Sequence, residues 1–191
     1  MVILKRFLLL GALAFAVNLA GCFTPVIEGA TEFHDSYKRD AFEAKAAAGD
    51  PVAQYKLGNT YCCHAGGPLD TVSIYNNAEA THWYCRAARK DYGPAQLRLA
   101  QIYAGHPIQG FRVAQHVSAA IGSAETDLGV ALMWASVAAD QGVDNAEALR
   151  TDLTAKATPA QHARSAALMK NWRTAPCGWN EVFPSGKSVG K

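Results

Sequence analysis

Small and apolar residues recur through the middle of the chain at the three- and four-residue spacings of amphipathic helices. Ala53, Leu57 and Tyr61 lie four residues apart and therefore share one face of a helix over residues 51–61. The same spacing returns over residues 80–88, after a stretch that contains Gly and Pro. The pattern predicts a pair of helices joined by a loop.

This two-helix pattern occurs twice. The second copy follows the first at an offset of 42 residues in its first helix and 51 in its second, so it carries nine extra residues between the helices. Small residues at 58, 87, 88, 100, 138 and 139 allow neighbouring helices to approach closely. Because two helices cannot bury both faces alone, such units stack on one another. The repeated pairs are Ala53 and Ala95, Leu57 and Leu99, Tyr61 and Tyr103, Trp83 and Trp134, Ala87 and Ala138, and Ala88 and Ala139.

Helices are also predicted on both sides of the two copies. Residues 32–48 form an incomplete unit that caps the amino-terminal end, and Asp50 is the N-cap of the helix that follows. After the second copy, residues 145–156 predict a degenerate first helix. Thr158, Pro159 and Gln161 then have the spacing of a capping box that begins a closing helix.

The pattern A-x-x-x-L-G-x-x-Y followed by W-x-x-x-A-A-x-x-G resembles the Sel-1-like repeat, a relative of the tetratricopeptide repeat. The resemblance implies an all-α fold over residues 32–177, a right-handed α-solenoid of antiparallel helical hairpins with about two full repeats and helical caps at both ends. The hairpin loops, at residues 64–68 and in the insertion of the second copy, depart from the family pattern. The repeat core that the resemblance predicts consists of Ala53, Leu57, Tyr61, Trp83, Ala87, Leu99, Tyr103, Trp134 and Ala138.

Residues 1–21 predict a targeting segment. Lys5 and Arg6 precede an apolar run that is short for a transmembrane helix and ends in small residues. The sequence Leu-Ala-Gly-Cys at 19–22 resembles a bacterial lipobox, which implies acylation of Cys22, including palmitate, and a tether over residues 22–31. By analogy with enterobacterial lipoproteins, in which a residue other than Asp after the cysteine favours the outer membrane, Phe23 implies that location, facing the periplasm. The alternative is an ordinary secretory signal with a chance cysteine.

The charge of the mature chain argues against nucleic acid as a partner. Removal of residues 1–21 lowers Lys plus Arg from 18 to 16, against 16 Asp plus Glu. The mature chain is therefore formally neutral and has no global basic field.

Four cysteines remain, at 62, 63, 85 and 177. In an exported protein they are expected to form disulfides, and each complete pairing joins Cys177 to the first repeat. Because bonding between adjacent Cys62 and Cys63 closes a small strained ring, the two mixed pairings are preferred. One disulfide with two free thiols is an alternative, and a zinc site that also uses His64 and His82 is another. Residues 178–191 are expected to form a flexible tail, within which Trp179 and Phe183 could dock.

The insertion in the second copy predicts a short amphipathic helix over residues 111–121. Its apolar face either packs on the repeats or forms a flap that binds a partner. The candidate partner loop consists of His106, Phe111, Val113, Val117 and Ile121.

The sequence contains no convincing catalytic motif. The chain has no H-E-x-x-H, and its six histidines are scattered. We therefore expect no catalytic residue, no cofactor and no metal. The resemblance implies a membrane-anchored adaptor that binds an envelope protein or peptide. One alternative is a cell-wall-directed or β-lactam-binding enzyme of the cysteine-rich Sel-1-like type, and another is a surface-exposed lipoprotein that interacts with a host.

Overall fold

A computed structural model describes residues 38–63, 76–106 and 126–184. Within these ranges every regular element is helical and no strand occurs, so the all-α prediction is confirmed. The helices are α1 (residues 38–47), α2 (Pro51–Tyr61), α3 (Asn77–Ala88), α4 (Gly93–Tyr103), α5 (Leu128–Asp140), α6 (Ala146–Lys156), α7 (Pro159–Met169), a 3-10 turn (Trp172–Thr174) and α8 (Trp179–Val182).

The predicted helix caps are confirmed. The Asp50 carboxylate accepts a hydrogen bond from the Ala53 N–H at 2.8 Å, and Pro51 begins α2. The Thr158 hydroxyl accepts from the Gln161 N–H at 3.3 Å, and the Gln161 side chain accepts from the Thr158 N–H at 2.8 Å. These side chains satisfy N–H groups that the first helical turn leaves without a backbone partner.

The loops between the helices of each unit close with the same backbone bond. The N–H of Asn76, the N-cap of α3, donates to the carbonyl of Tyr61 at the end of α2, at 2.8 Å. The N–H of Asp127, the N-cap of α5, donates to the carbonyl of Tyr103 at the end of α4, at 2.9 Å. The nine extra residues in the second copy therefore leave its junction unchanged.

The turns that follow α1, α3 and α5 also share one geometry. Each contains a residue in the left-handed region, with φ of 97° at Gly49, 61° at Asp91 and 70° at Gly142. These positions are separated by the same 42 and 51 residues as the helices. A residue in this conformation ends a helix and redirects the chain. The sequence repeat is therefore also a repeat of backbone geometry.

Neighbouring helices pack in chain order. Helix α2 packs on α3, α3 on α4 and α4 on α5, while α5 also packs on α6 and α7. The main core is a continuous cluster, and its largest fully buried side chains are Trp134, Tyr84, Tyr103, Leu99, Met133 and Leu153. A smaller cluster of Ala46, Ala53 and Leu57 lies between α1 and α2. Ala87 and Ala138 are also fully buried.

Two residues of the predicted repeat core, Tyr61 and Trp83, are partly buried and pack against the smaller cluster. A cationic side chain also lies on each of these rings. The Arg39 guanidinium lies 4.1 Å from the Tyr61 ring centroid, and the Arg86 guanidinium lies 4.9 Å from that of Trp83. Trp134, the counterpart of Trp83, is fully buried and contacts the Trp172 ring.

The tail beyond α7 folds back onto the first repeat. Cys85 of α3 is bonded to Cys177, with their Cα atoms 5.8 Å apart. One helical turn earlier, the Thr81 hydroxyl accepts a hydrogen bond from the Trp179 N–H at 2.8 Å. The tail therefore runs along α3, and this path brings Cys177 to Cys85. Cys62 is bonded to Cys63 across a cis peptide, so the expectation of mixed pairings is wrong.

Aromatic and polar contacts extend the packed region past Cys177. Trp179 and Phe183 lie 6.3 and 6.0 Å from the Tyr103 ring, measured between centroids, and the Tyr103 hydroxyl donates to the Cys177 carbonyl. Burial raises the pKa of Tyr103 far above its usual value. With Val182 also buried, the packed region reaches Phe183, beyond the boundary at 177 that we expected.

Charged groups complete the docking of the tail. The Glu181 carboxylate accepts from the N–H groups of Cys177 and Gly178, at 2.8 and 3.1 Å. These two bonds hold its pKa below the usual value, although partial burial opposes them. Arg173 makes two hydrogen bonds to Asp91, at 2.7 and 2.8 Å.

Gly58 allows α2 and α3 to approach closely. A Cβ atom at this position would lie 2.6 Å from Cε1 of Tyr84. The Tyr84 ring is fully buried, its hydroxyl donates to Asn59 at 2.8 Å, and its centroid lies 5.7 Å from that of Tyr55. The ring therefore has little freedom to move away.

We expect Gly58→Ala to lower the free energy of unfolding by about 1–3 kcal/mol, because overpacking outweighs the gain in helix propensity. Urea denaturation measures this change in the free energy of unfolding. Gly129→Ala in α5 is the matched control, since the nearest atoms to its Cβ would belong to the exposed side chain of Arg164 rather than to a buried ring. We expect that variant to be as stable as the parent or up to about 1 kcal/mol more stable. Equal stability of Gly58→Ala and the parent would contradict the packing described here.

The disulfide between Cys85 and Cys177 joins residues 92 positions apart, whereas that between Cys62 and Cys63 joins neighbours. Since disulfide stabilisation grows with the length of the closed loop, removal of Cys85 and Cys177 by double Ala substitution should cost about 2–5 kcal/mol. The double Ala variant at Cys62 and Cys63 should lose less stability. Urea denaturation compares the two variants, and non-reducing peptide mapping of the parent should recover Cys85 linked to Cys177. A cross-link from Cys177 to Cys62 or Cys63 would refute the pairing.

Candidate functional site

An open groove of about 690 Å³ lies between α2, α4 and the turn from α5 to α6. Its volume is in the range of ligand sites in proteins. The side chains come from three consecutive structural units, so the groove depends on how those units stack. It is lined by Tyr55, Gly93, Pro94, Leu97, Arg98, Gln101, Gln141, Gly142, Val143 and Asp144.

Of the residues that line the groove, Tyr55 is the aromatic one and forms one wall. The Tyr55 ring centroid lies 5.7 Å from that of Tyr84 and 5.4 Å from that of Tyr92. The pKa of Tyr92 is raised, first by partial burial and then by Tyr55 and Asp50. The Tyr92 hydroxyl is therefore protonated near neutral pH. Contacts with these two rings give Tyr55 a fixed position beside the groove.

Arg98 is held against this wall. Its Nη2 donates a hydrogen bond to the Tyr55 hydroxyl at 3.3 Å, and its side chain is half-buried. The bond connects α4 to α2, so it crosses the boundary between the two repeats. A guanidinium group carries its N–H donors in a planar fork.

Apolar and amide groups complete the lining. Leu97 and Val143 are half-buried, and a Cβ atom at Gly93 would overlap the Val143 side chain. The absence of a side chain at Gly93 thus lets the turn from α5 to α6 lie directly against α4. Gln101 and Gln141 supply side-chain amides, each with a donor and an acceptor.

Buried glutamines position the helices that carry the groove. Gln54 of α2 donates to the carbonyl of Ala46 in α1 at 3.0 Å, and Gln96 of α4 donates to that of Ala88 in α3 at 3.1 Å. Both side chains are fully buried, and the two bonds are related by the 42-residue offset. Each glutamine therefore fixes the start of one unit to the end of the unit before it.

The structure places the residues of the predicted partner loop in two groups. His106 is half-buried after α4, with Nε2 at 3.9 Å from Asp152 of α6. Burial lowers its pKa, and Asp152 opposes this effect. His106 is not among the residues that line the groove. Phe111, Val113, Val117 and Ile121 lie outside the described residues, as do Cys22 and the targeting segment.

The zinc alternative has no support from the described cysteines. Cys62, Cys63 and Cys85 are all in disulfides, and a disulfide sulfur is not the thiolate that zinc requires. His82 is exposed, and its ring makes an edge contact with the Trp83 ring. Across the described ranges, no three His, Cys, Asp or Glu side chains are grouped as metal ligands.

Sequence analysis missed the residues that form the groove. Tyr55 and Arg98 lie at variable positions of the repeat pattern, and Val143 and Asp144 lie in a turn. One signal was available in the sequence. Gln54 and Gln96 are identical residues at equivalent positions of the repeat, and Lys56 and Arg98, also at equivalent positions, are both positively charged.

Comparisons with protein-family models, curated proteins and solved structures gave no match to this chain. In the part of the chain that the structure describes, no helix has the length and apolar character needed to cross a bilayer.

Proposed function

We propose that the protein is an adaptor that binds a segment of another envelope protein in the groove between α2, α4 and the turn from α5 to α6. The observation that carries this proposal is the groove itself, which combines an aromatic wall, a held cation and two amides in one open surface. Such a mixture suits a peptide, since a peptide presents both apolar side chains and backbone hydrogen-bonding groups.

The proposed architecture is a short right-handed α-solenoid of antiparallel hairpins, of the Sel-1-like type. Three features that recur at the repeat offsets support it: the left-handed turn residues, the glutamine bonds to the preceding helix and the junctions closed at Tyr61 and Tyr103. Stacked repeats commonly present an extended surface for protein partners. In this arrangement the groove lies where successive first helices meet.

The proposed location is the outer membrane, facing the periplasm, with acylated Cys22 as the anchor. The lipobox-like sequence at residues 19–22 supports it, and a stabilising disulfide between Cys85 and Cys177 suits an oxidising compartment. In this proposal, residues 22–31 connect the anchor to the helical domain.

Anchoring through Cys22 predicts acylation of that residue in a bacterium that has an outer membrane. An alkyne analogue of palmitate should label the parent protein, and the label should be absent from Cys22→Ala. The parent should sediment with outer-membrane vesicles in a sucrose gradient, because several acyl chains give stable anchoring. Label retained by Cys22→Ala, or a parent protein without label, would refute the anchor.

Binding in the groove predicts a site-specific cross-link to one partner. Photoreactive benzoylphenylalanine at Leu97 should give a discrete product in intact cells, and the same group at exposed Ala167 of α7 should not. The partner is identified by mass spectrometry and purified, and its binding is then measured directly. We expect Gln101→Trp, which fills the groove, to weaken that binding at least about tenfold, because each 1.4 kcal/mol lost is a factor of ten.

Two results would contradict the adaptor proposal. One is the absence of any cross-link from Leu97 in cells that produce the protein at its normal level. The other is a partner that binds Gln101→Trp and the parent equally well. Circular dichroism and urea denaturation of Gln101→Trp confirm that this variant remains folded.

A further inference from the structure

The first helices of the two repeats carry matching faces. Positions 52, 55 and 59 share one face of α2, because they are separated by three and four residues. Positions 94, 97 and 101 share the corresponding face of α4, each 42 residues later. We call these six positions the paired face. It consists of Val52, Tyr55 and Asn59 on α2 and Pro94, Leu97 and Gln101 on α4.

The paired face continues the groove. Tyr55, Pro94, Leu97 and Gln101 are among the residues that line the groove. Val52 lies three residues before Tyr55 on the same side of α2, and it is 41% exposed. Among the residues that the structure describes, no other large aliphatic or aromatic side chain is as exposed. The apolar part of the groove therefore extends past Tyr55 toward the start of α2.

Each helix also carries one carboxamide in the paired face. The Oδ1 of Asn59 accepts a hydrogen bond at 2.8 Å from the hydroxyl of the buried Tyr84. This bond fixes the orientation of the amide, so its nitrogen, with two N–H donors, is directed away from the Tyr84 hydroxyl. Gln101 lies at the equivalent position of α4 and supplies the same groups. The paired face thus combines N–H donors with apolar contacts.

The spacing of α2 and α4 restricts the conformation of a peptide that contacts both helices. The two helices meet at Tyr55, whose ring centroid lies 5.4 Å from that of Tyr92, the N-cap of α4. Helices in contact have axes about 8–10 Å apart. Equivalent contacts on the peptide must therefore recur at about the same distance.

A polyproline II helix has this period. It contains three residues per turn and rises about 3.1 Å per residue, so every third side chain returns to the same side after about 9 Å. In a β-strand, side chains on one side recur after two residues, which is about 6.6 Å. A β-strand therefore does not match the step from α2 to α4, whereas a polyproline II helix does.

Proline also suits the polar groups of the paired face. It has no backbone N–H, and the carbonyl groups of a polyproline II helix make no internal hydrogen bonds. These carbonyls are acceptors for donors such as the amides of Asn59 and Gln101. A proline-rich segment is also ordered before it binds, so it loses less conformational entropy on binding.

We propose that the paired face binds a proline-rich segment of the partner in the polyproline II conformation, lying across α2 and α4. One apolar residue of the segment contacts Tyr55, and the residue three positions away contacts Leu97. Backbone carbonyls of the segment accept hydrogen bonds from Asn59 and Gln101. This inference rests on the proposed adaptor function and names the chemistry of the partner segment.

The experiment titrates the purified, oxidised, nitrogen-15-labelled protein with three capped nonapeptides, observed by NMR. The periodic peptide repeats leucyl-prolyl-proline three times. A second peptide has the same composition with its three leucines adjacent, which removes the three-residue period. A third repeats leucyl-alanyl-alanine, which keeps the period without proline. The periodic peptide should shift the amide signals of Tyr55, Asn59, Leu97 and Gln101. Its dissociation constant should be at least about tenfold below those of the other two peptides.

Amide variants test the hydrogen bonds to the segment. Asn59→Asp keeps an oxygen acceptor for Tyr84 and removes the N–H donors, and Gln101→Met removes the donors at similar size. Each should weaken binding of the periodic peptide about three- to tenfold, the loss expected for one hydrogen bond. Asn180→Asp, at an exposed position of α8, controls for the added charge and should bind as the parent does. The dispersion of the NMR spectrum shows that each variant is folded.

The inference is overturned if the periodic peptide binds no better than either of the other two, or if its shifts fall outside the paired face. It is also overturned if Gln101→Met binds the periodic peptide as tightly as the parent. These failures are distinct from failure of the adaptor function. A partner cross-linked at Leu97 through a segment without proline leaves the adaptor and removes the polyproline II mode. Binding of the periodic peptide without a cross-linked protein in cells removes the adaptor and leaves a site for proline-rich peptides.

Discussion

The turn that ends the second helix of each unit determines how the next unit stacks. At Gly49, Asp91 and Gly142 the chain enters the left-handed region, which stops the helix and redirects the backbone. The following helix is then tied back, by Gln54 to Ala46 and by Gln96 to Ala88. These buried bonds link the end of one unit with the start of the next. The direction of each new helix therefore depends on this junction, as does the groove that α2 and α4 share.

Between these junctions the two repeats are packed differently. In the first, Gly58 leaves room for the large ring of Tyr84. In the second, Ala100 replaces Gly58 and Ala135 replaces Tyr84. The larger residue in the first helix is therefore accompanied by a smaller residue in the second helix. The combined volume is in this way partly conserved, which is the kind of change that cores tolerate best. Tyr84 in turn supports Tyr55, and through Tyr55 the core of the first repeat reaches the wall of the groove.

The sequence was sufficient to predict the helices and several of their ends, because periodic spacing and capping residues act locally. Asp50 and Thr158 cap the helices that they were expected to cap. The disulfide pairing was not predictable in the same way, since it depends on the path of the tail along α3, which Thr81 and Trp179 fix. The groove was also missed, because Tyr55, Arg98 and Val143 become neighbours only when three units stack. Trp83 is less buried than its counterpart Trp134, because Trp134 contacts Trp172, a residue outside the repeat.

The departures from the repeat indicate how the two faces of the domain differ. Asp91 stands where the other two turns have glycine, and a non-glycine residue at positive φ carries a conformational cost. Its carboxylate binds Arg173, so the substitution occurs at the turn where the tail docks. The tail then contacts Thr81, Cys85, Arg89 and Tyr103, none of which lines the groove. A disulfide and a paired carboxylate thus secure the tail on surfaces separate from the groove.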